Sequence, residues 1–381
     1  MTLFRLIFII VAILLFFLMN LYIYRRFLSR LTFFDTHHKK VRSLLFLFFA
    51  TEALFLILMP FELIGGNIYA LFASIIGITF MLFVVALIYD LLHLGLHTLP
   101  FDHKRRLALK VILDITMLIF ALSYILKGFF NAQKMPRIRK VPIKLRGLTK
   151  NFSILHLSDL HLGPVVGKSH LERIVEQCNS LDPDLVVITG DLVDLPAEKI
   201  GDMLEPLKNL NQREGVCFVP GNHEYFHGVE AIMAHLEDLG ITVLRNENIT
   251  VANLFNLCGT LDMIGEKLGY LEPDLKKTLR GIDPKLPTVL LAHQPKIVSR
   301  LTNEPIDLIL SGHTHGGQIF PFGLLVLLDQ PYLSGLYRHN EKTEIFVSNG
   351  TGYWGPPVRV LAPSEIVLID LVSGNEVSTS H

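Results

Sequence analysis

Ser153-Ile154-Leu155-His156-Leu157-Ser158-Asp159-Leu160-His161 is the stretch on which the reading of this 381-residue chain turns. Ser153–Leu157 is short and apolar, as a buried strand should be, and the residues that follow are polar and able to bind a cation. If the strand continues, Asp159 and His161 stand two apart and share a face, so both side chains can reach one ion. The arrangement returns four times. Leu185–Thr189 leads into Gly190-Asp191, and Val216–Val219 into Pro220-Gly221-Asn222-His223-Glu224. Thr288–Ala292 leads into His293-Gln294-Pro295, and Leu308–Leu310 into Ser311-Gly312-His313-Thr314-His315-Gly316. One such residue could be a turn former. Five strands ending in Asp, Asn or His, with glycines where the chain must turn, describe a site at the carboxyl ends of a sheet.

Between these strands, Leu171, Ile174, Val175, Cys178 and Leu181 repeat at helical spacing. So do Val229, Ile232, Met233, Leu236 and Leu239, with Gly240 as a stop signal. Two more strands are expected at Ile345–Ser348 and Ile366–Leu371. Strand–helix alternation followed by a strand-rich half predicts one layered α/β domain over residues 151–381. Imidazole, carboxylate and amide donors without thiolate suit divalent Mn, Fe, Zn or Ni. A carboxylate can bridge two ions about 3.5–4 Å apart, and such a pair can activate water and clamp a phosphoryl group. Phosphoryl transfer asks chiefly for positioning and charge neutralisation.

The ordered series DxH, GD, GNHE, His and GHTH resembles the calcineurin-like metallophosphoesterase superfamily over nearly all of 152–371. The resemblance implies a four-layer α/β/β/α sandwich with a two-metal centre. It implies Asp159, His161 and His315 on one metal, Asp191 bridging, and Asn222, His293 and His313 completing the second. His223 is then the general acid or leaving-group stabiliser, with a metal-activated water attacking in line. Leu157–His161, Ser311–Gln318 and the late run Asn349-Gly350-Thr351-Gly352-Tyr353-Trp354-Gly355-Pro356-Pro357-Val358-Arg359 are closest to a bacterial membrane-anchored or exported subgroup. That subgroup includes broad-specificity phosphodiesterases and is similar to one type of UDP-2,3-diacylglucosamine pyrophosphatase. Arg359 is a candidate for substrate phosphate, because a guanidinium offers paired donors; a structural ion pair is the alternative. Tyr225 is a candidate for the pocket mouth, with ordinary packing as the alternative. Cys178, Cys217 and Cys258 form no CxxC pair and read as small buried hydrophobes.

Upstream of residue 151 the chain is another material. Four apolar runs, 6–24, 44–64, 68–89 and 107–126, are each about long enough to cross a bilayer. They predict a four-helix transmembrane block over 1–130, which holds 19 of the 26 Phe. Glu52 and Asp114 fall inside spans, where ionised carboxylates are costly. An interhelical hydrogen bond from a protonated acid explains them, and so does a polar path through the helices. Residues 131–150 carry seven Lys/Arg and no acid, and are expected to form a basic juxtamembrane linker facing anionic headgroups.

The formal charge of zero is therefore a cancellation. The block 1–130 holds 12 Lys/Arg against 6 Asp/Glu, whereas 151–381 holds 16 against 29, a balance of −13. Two divalent ions would bring that to −9. A domain so acidic lacks the basic footprint of a duplex binder, so stable nucleic-acid binding is not expected. A non-catalytic binding module is disfavoured because all seven ligand positions and His223 are filled. The expected protein is an integral plasma (inner) membrane enzyme, with N-terminus and catalytic domain on one side because the span number is even. Its substrate would be a phosphorylated lipid or nucleotide-linked small molecule. Basic loops at 25–43 and 91–106 oppose the strip at 131–150, so charge leaves the side open.

Overall fold

The structure, a computed structural model, describes residues 3–59 and 65–373. Pro60 and Glu62 of the expected second span lie outside the described residues, as do 374–381. Two compact units emerge, one of residues 1–133 with Gly355–Val360, the other of 134–354 with 361–381.

In the helical unit, α1 (Leu3–Arg26), α2 (His38–Leu58), α3 (Gly66–Thr98) and α4 (His103–Ala132) are each long and apolar enough to span a membrane. Their burial is inside-out relative to a water-soluble bundle. Phe8, Phe46, Leu91 and Ile119 are exposed, whereas Asn20, Glu52, Thr79 and Asp114 are buried. Polar groups that face neighbouring helices find partners they could not find in hydrocarbon. Asn20 donates to Glu52 Oε2 at 2.8 Å, tying α1 to α2. Asp114 accepts from Tyr89 Oη at 2.8 Å and from the Thr32 amide at 3.1 Å, and it pairs with Lys110 Nζ at 2.7 Å. Asp114 thus gathers donors from several neighbouring segments, as an interhelical hydrogen-bonding role requires.

Gly355–Val360 packs within this unit. The Arg359 amide donates to Gly128 O at 2.9 Å, and Asn131 Nδ2 donates to Arg359 O at 3.3 Å. Pro356 and Val358 lie where a Cβ on Gly77 or Gly128 would stand. That close approach is the reason for glycine at both places.

The α/β unit is built from two six-stranded mixed sheets. It begins with β1 (Arg137–Leu145), β2 (Phe152–Leu157), α5 (Lys168–Asn179), β3 (Leu185–Thr189), α6 (Ala197–Ile200) and β4 (Val216–Val219). There follow α7 (Asn222–His227), α8 (Val229–Asp238), β5 (Thr242–Val243), β6 (Glu247–Val251), β7 (Phe255–Gly259), α9 (Ile264–Leu268) and α10 (Leu275–Thr278). The chain then forms β8 (Thr288–Leu291), β9 (Leu308–Ser311), α11 (Gly323–Val326), β10 (Gly335–Arg338), β11 (Glu344–Val347) and β12 (Glu365–Ser373). The first sheet runs β1-β12-β2-β3-β4-β5 and the second β10-β11-β9-β8-β7-β6. Val187, Val219, Leu257, Leu291, Leu310 and Phe346, drawn from both sheets, share one buried core. On the outer face of the first sheet, Leu171, Ile174 and Cys178 of α5 and Ile232 and Leu236 of α8 pack against Val186, Ile188 and Phe218. Leu275 and Ile297 cover the other outer face, against Leu290 and Ile309. The expected four layers are present.

The strip 131–150, expected as a linker, contains a nine-residue strand. β1 pairs in parallel with β12 from Arg137↔Glu365 to Leu145↔Ser373. Val141, Ile143 and Leu145 turn into the inter-sheet core while Lys140 and Lys144 point to solvent. Lys140 and Lys144 form the outward row of an edge strand, where charge also discourages strand addition by other chains, whereas Arg137 and Arg139 pair with Glu365.

Candidate metal centre

The ligand candidates stand on loops that leave β2, β3, β4, β8 and β9, all at carboxyl ends. The strand that was expected to carry Asp159 and His161 stops at Leu157. Both residues instead adopt left-handed backbone, with φ 54° and 48°, as do Asp191 (50°), His313 (69°) and His315 (51°). Such conformations are strained for residues with a Cβ and persist where the surroundings over-determine them. Those surroundings are visible. The Asp159 amide donates to Gly190 O and the His161 amide to Asp191 O, each at 3.0 Å. The Thr351 and Gly352 amides donate to the carbonyls of Ser158 and Asp159 at 2.7 and 2.9 Å, which gives the late glycine-rich run its purpose. A Cβ on Gly312 would overlap the side chains of Ser158 and Asp159, so the β9 loop can approach only as glycine.

Two donor sets converge. Asp159, His161 and His315 form one, with His161 Nε2 3.0 Å from His315 Nε2 and His315 Nε2 3.6 Å from Asp159 Oδ1. Asp191, His293 and His313 form the other, with His293 Nε2 3.2 Å from both Asp191 Oδ2 and His313 Nδ1. Asn222 Oδ1 joins it, 3.1 Å from His293 Nε2. Asp191 Oδ2 also stands 3.8 Å from His161 Nε2, so one carboxylate oxygen faces both sets.

Proton placement shows that these donors fit cations. His293 Nδ1 lies 2.7 Å from Thr189 O, a bond that needs the proton on Nδ1 and turns the Nε2 lone pair toward Asp191, Asn222 and His313. His161 Nδ1 lies 2.9 Å from Asp194 Oδ1, which turns its Nε2 toward His315 in the same way. Buried acceptors facing one another in this manner call for positive charge between them. Burial resists charging His293, yet the Asp191 carboxylate beside it holds its pKa well above the usual histidine range. For His313, burial dominates and depresses its pKa to about 3, with His293 adding to the effect.

His223 stands beside both sets on α7. Its Nδ1 lies 2.7 Å from Asp194 Oδ1 and its Nε2 3.9 Å from Asp191 Oδ2. Burial works against its charge, but Asp191 and Asp194 outweigh that and raise its pKa to about 9. The rings of Phe226 and Trp354 flank it, with centroids 5.7 and 5.9 Å away. Tyr225 is half-buried and its hydroxyl donates to Leu271 O at 2.6 Å, so that group is committed to the scaffold; its neighbour Phe226 is the one beside His223. Arg359 is buried in the helical unit.

Two residues that the motif reading passed over organise the site. Asp194 lies between His161 and His223, and its carboxyl is held below the ordinary range because those imidazoles outweigh the cost of its burial. Glu224, fully buried, accepts from the amides of Gly221, Asp191 and Leu192 at 2.7, 3.0 and 2.8 Å, pinning the β3 and β4 loops together. The signal for Asp194 was its position three residues after Asp191. For Glu224 it was an acid at the third position of a helix whose N-terminal amides needed a partner.

Two layered sheets with paired His/Asp donor sets at their strand ends define a metal-dependent phosphoesterase architecture. Residues 152–317 match the calcineurin-like phosphoesterase family. A metallophosphoesterase of Helicobacter pylori is 41% identical over 316 residues, covering 83% of this chain and 85% of its own. One from Campylobacter jejuni is 34% identical over 368 residues, covering 96% and 98%. A transmembrane protein with metallophosphoesterase domain from Bos taurus is 39% identical over 287 residues, covering 71% and 64%. The chain belongs to the calcineurin-like metallophosphoesterases. It is a metal-dependent phosphoric ester hydrolase whose N-terminal unit carries four helices long and apolar enough to span a membrane.

Proposed function

We propose that this is a membrane-embedded, two-metal enzyme that hydrolyses a phosphate ester or pyrophosphate of a lipid or lipid-linked headgroup. The observation that carries the two-metal reading is the position of Asp191 Oδ2, within 3.2 Å of His293 Nε2 and 3.8 Å of His161 Nε2. Asp159, His161 and His315 would hold one divalent ion, and Asn222, His293 and His313 the other, with Asp191 shared. Bound there, Mn, Fe, Zn or Ni ions would supply charge neutralisation and an acidic water. The chain's own residues do the remaining work. Asp194 orients His161 and His223 through their Nδ1 atoms, and His223 presents Nε2 to carry a proton to the leaving oxygen. Phe226 and Trp354 narrow the mouth.

The membrane-spanning helices support a lipid substrate, and a UDP-linked diacyl sugar pyrophosphate is the narrower form of that reading. The even span number supports placing the N-terminus and the α/β unit on one side of a plasma membrane.

The test uses full-length protein in nanodiscs, loaded in turn with each metal and assayed on an aryl phosphodiester, lipid phosphates and UDP-linked acyl sugars. Asp191→Asn should abolish turnover of every substrate and lower metal content below that of the wild type, with the fold retained by circular dichroism. Wild-type turnover in that variant would overturn the assignment.

A further inference from the structure

The loop after the second histidine cluster has a surface that the phosphoesterase chemistry does not use. After Gln318 and the buried Ile319, residues 320–328 read Phe-Pro-Phe-Gly-Leu-Leu-Val-Leu-Leu, and most of their side chains face outward. Leu328 is 83% exposed and Leu324 65%, with Phe320, Phe322, Leu325 and Leu327 exposed beside them. This loop is braced rather than loose. α11 forms its middle, and Gly323 is buried where Gly317 and Leu333 leave room for no side chain. Thr314 Oγ1 donates to Leu333 O at 2.6 Å, and Gln330 Oε1 accepts from the Lys296 amide at 3.0 Å. A rigid frame therefore holds a contiguous apolar surface outward, the kind of patch that marks a protein or membrane contact.

Beside it opens a cleft of about 730 Å³ lined by Arg137, Arg139, Lys140, Gly316, Phe320 and Leu361. Arg137 and Arg139 both approach one carboxylate, Glu365, at 3.3 and 3.4 Å, so the three cations exceed their fixed anion. Leu361, 75% exposed, adds to the apolar rim. Gly316 adjoins His315, which ties the cleft wall to the metal-binding loop.

We infer that Phe320–Leu328 inserts into the surface of an anionic bilayer, with the Arg137/Arg139/Lys140 cleft taking a lipid headgroup phosphate. An apolar surface rimmed by cations is the pattern of an interfacial anchor, and the chain is already bound to a bilayer by its own helices. The inference rests on the lipid-phosphoesterase reading and deepens it: the substrate reaches the metal loop from the plane of the membrane rather than from water.

Cys178, Cys217 and Cys258 are free and buried, so a cysteine introduced at an exposed position can be labelled selectively. Full-length Leu328→Cys would carry an environment-sensitive fluorophore in vesicles of phosphatidylcholine, with or without phosphatidylglycerol, and Glu172→Cys on α5 would serve as reference. The expected result at 328 is a blue-shifted emission that spin-labelled lipids quench, stronger with phosphatidylglycerol and weakened by Lys140→Gln, with neither effect at 172. No shift and no quenching at 328 would overturn the inference. So would disulfide cross-linking between two Leu328→Cys copies without quenching, which would make the loop a contact with a second copy. Quenching indifferent to phosphatidylglycerol would overturn the headgroup site. Aryl phosphodiester turnover on the same samples separates the two readings: quenching without wild-type turnover sinks only the hydrolase, and turnover without quenching sinks only the insertion.

Discussion

Asp194 shows how a residue outside the expected ligand set can act on its members. Its Oδ1 lies 2.9 Å from His161 Nδ1 and 2.7 Å from His223 Nδ1, so one carboxylate sets the tautomer of a ligand and is the counter-charge of the proposed acid. Losing such an outer partner typically costs about 10–100-fold in metal affinity or activity. Asp194→Asn should therefore lower turnover by about that factor and shift its pH profile, while the melting temperature of the metal-loaded protein changes little. A purely structural role would move the melting temperature and leave the profile in place. Asp159, His161 and Asp191 were legible because they end apolar runs. Asp194 offered only its spacing, three residues after Asp191, whose left-handed turn (φ 50°) no local pattern announces.

Among the elements, β1 separates a tether from a structural strand. In the sequence its four cations, among the seven of residues 131–150, hid the alternation Val141-x-Ile143-x-Leu145, which is as clean a strand signal as any other in the chain. The strands with uninterrupted apolar runs were plain, and so were α5 and α8 with their helical repeats. β5, β6, β7 and β10 escaped because they are short or half-polar and gain their identity from the neighbours they pair with. Ile143 is fully buried among residues of both sheets. Ile143→Ala should destabilise the α/β unit by about 2–5 kcal/mol in denaturant unfolding. A linker residue would cost nothing measurable.

For the whole molecule, two solvents govern two units. The helices turn apolar residues outward and keep Glu52 and Asp114 inside, while the α/β unit buries Asp159, Asp191 and their histidines around a candidate cation site. Removing the metals should thus act on one unit only. At metal concentrations about a hundredfold above Kd, binding contributes about 2.7 kcal/mol to the folded state. Chelation should lower the melting transition of the α/β unit, followed by the near-ultraviolet signal of Trp354, and leave helical ellipticity from α1–α4 in place. A common loss of both signals would show that the units melt together. The order of strands in the first sheet also has a bearing on synthesis. β12, residues 365–373, lies between β1 and β2, so that sheet stays split until translation has passed Ser373. The four helices can enter the bilayer as they emerge, but the hydrolase remains unassembled on the ribosome until its last strand arrives.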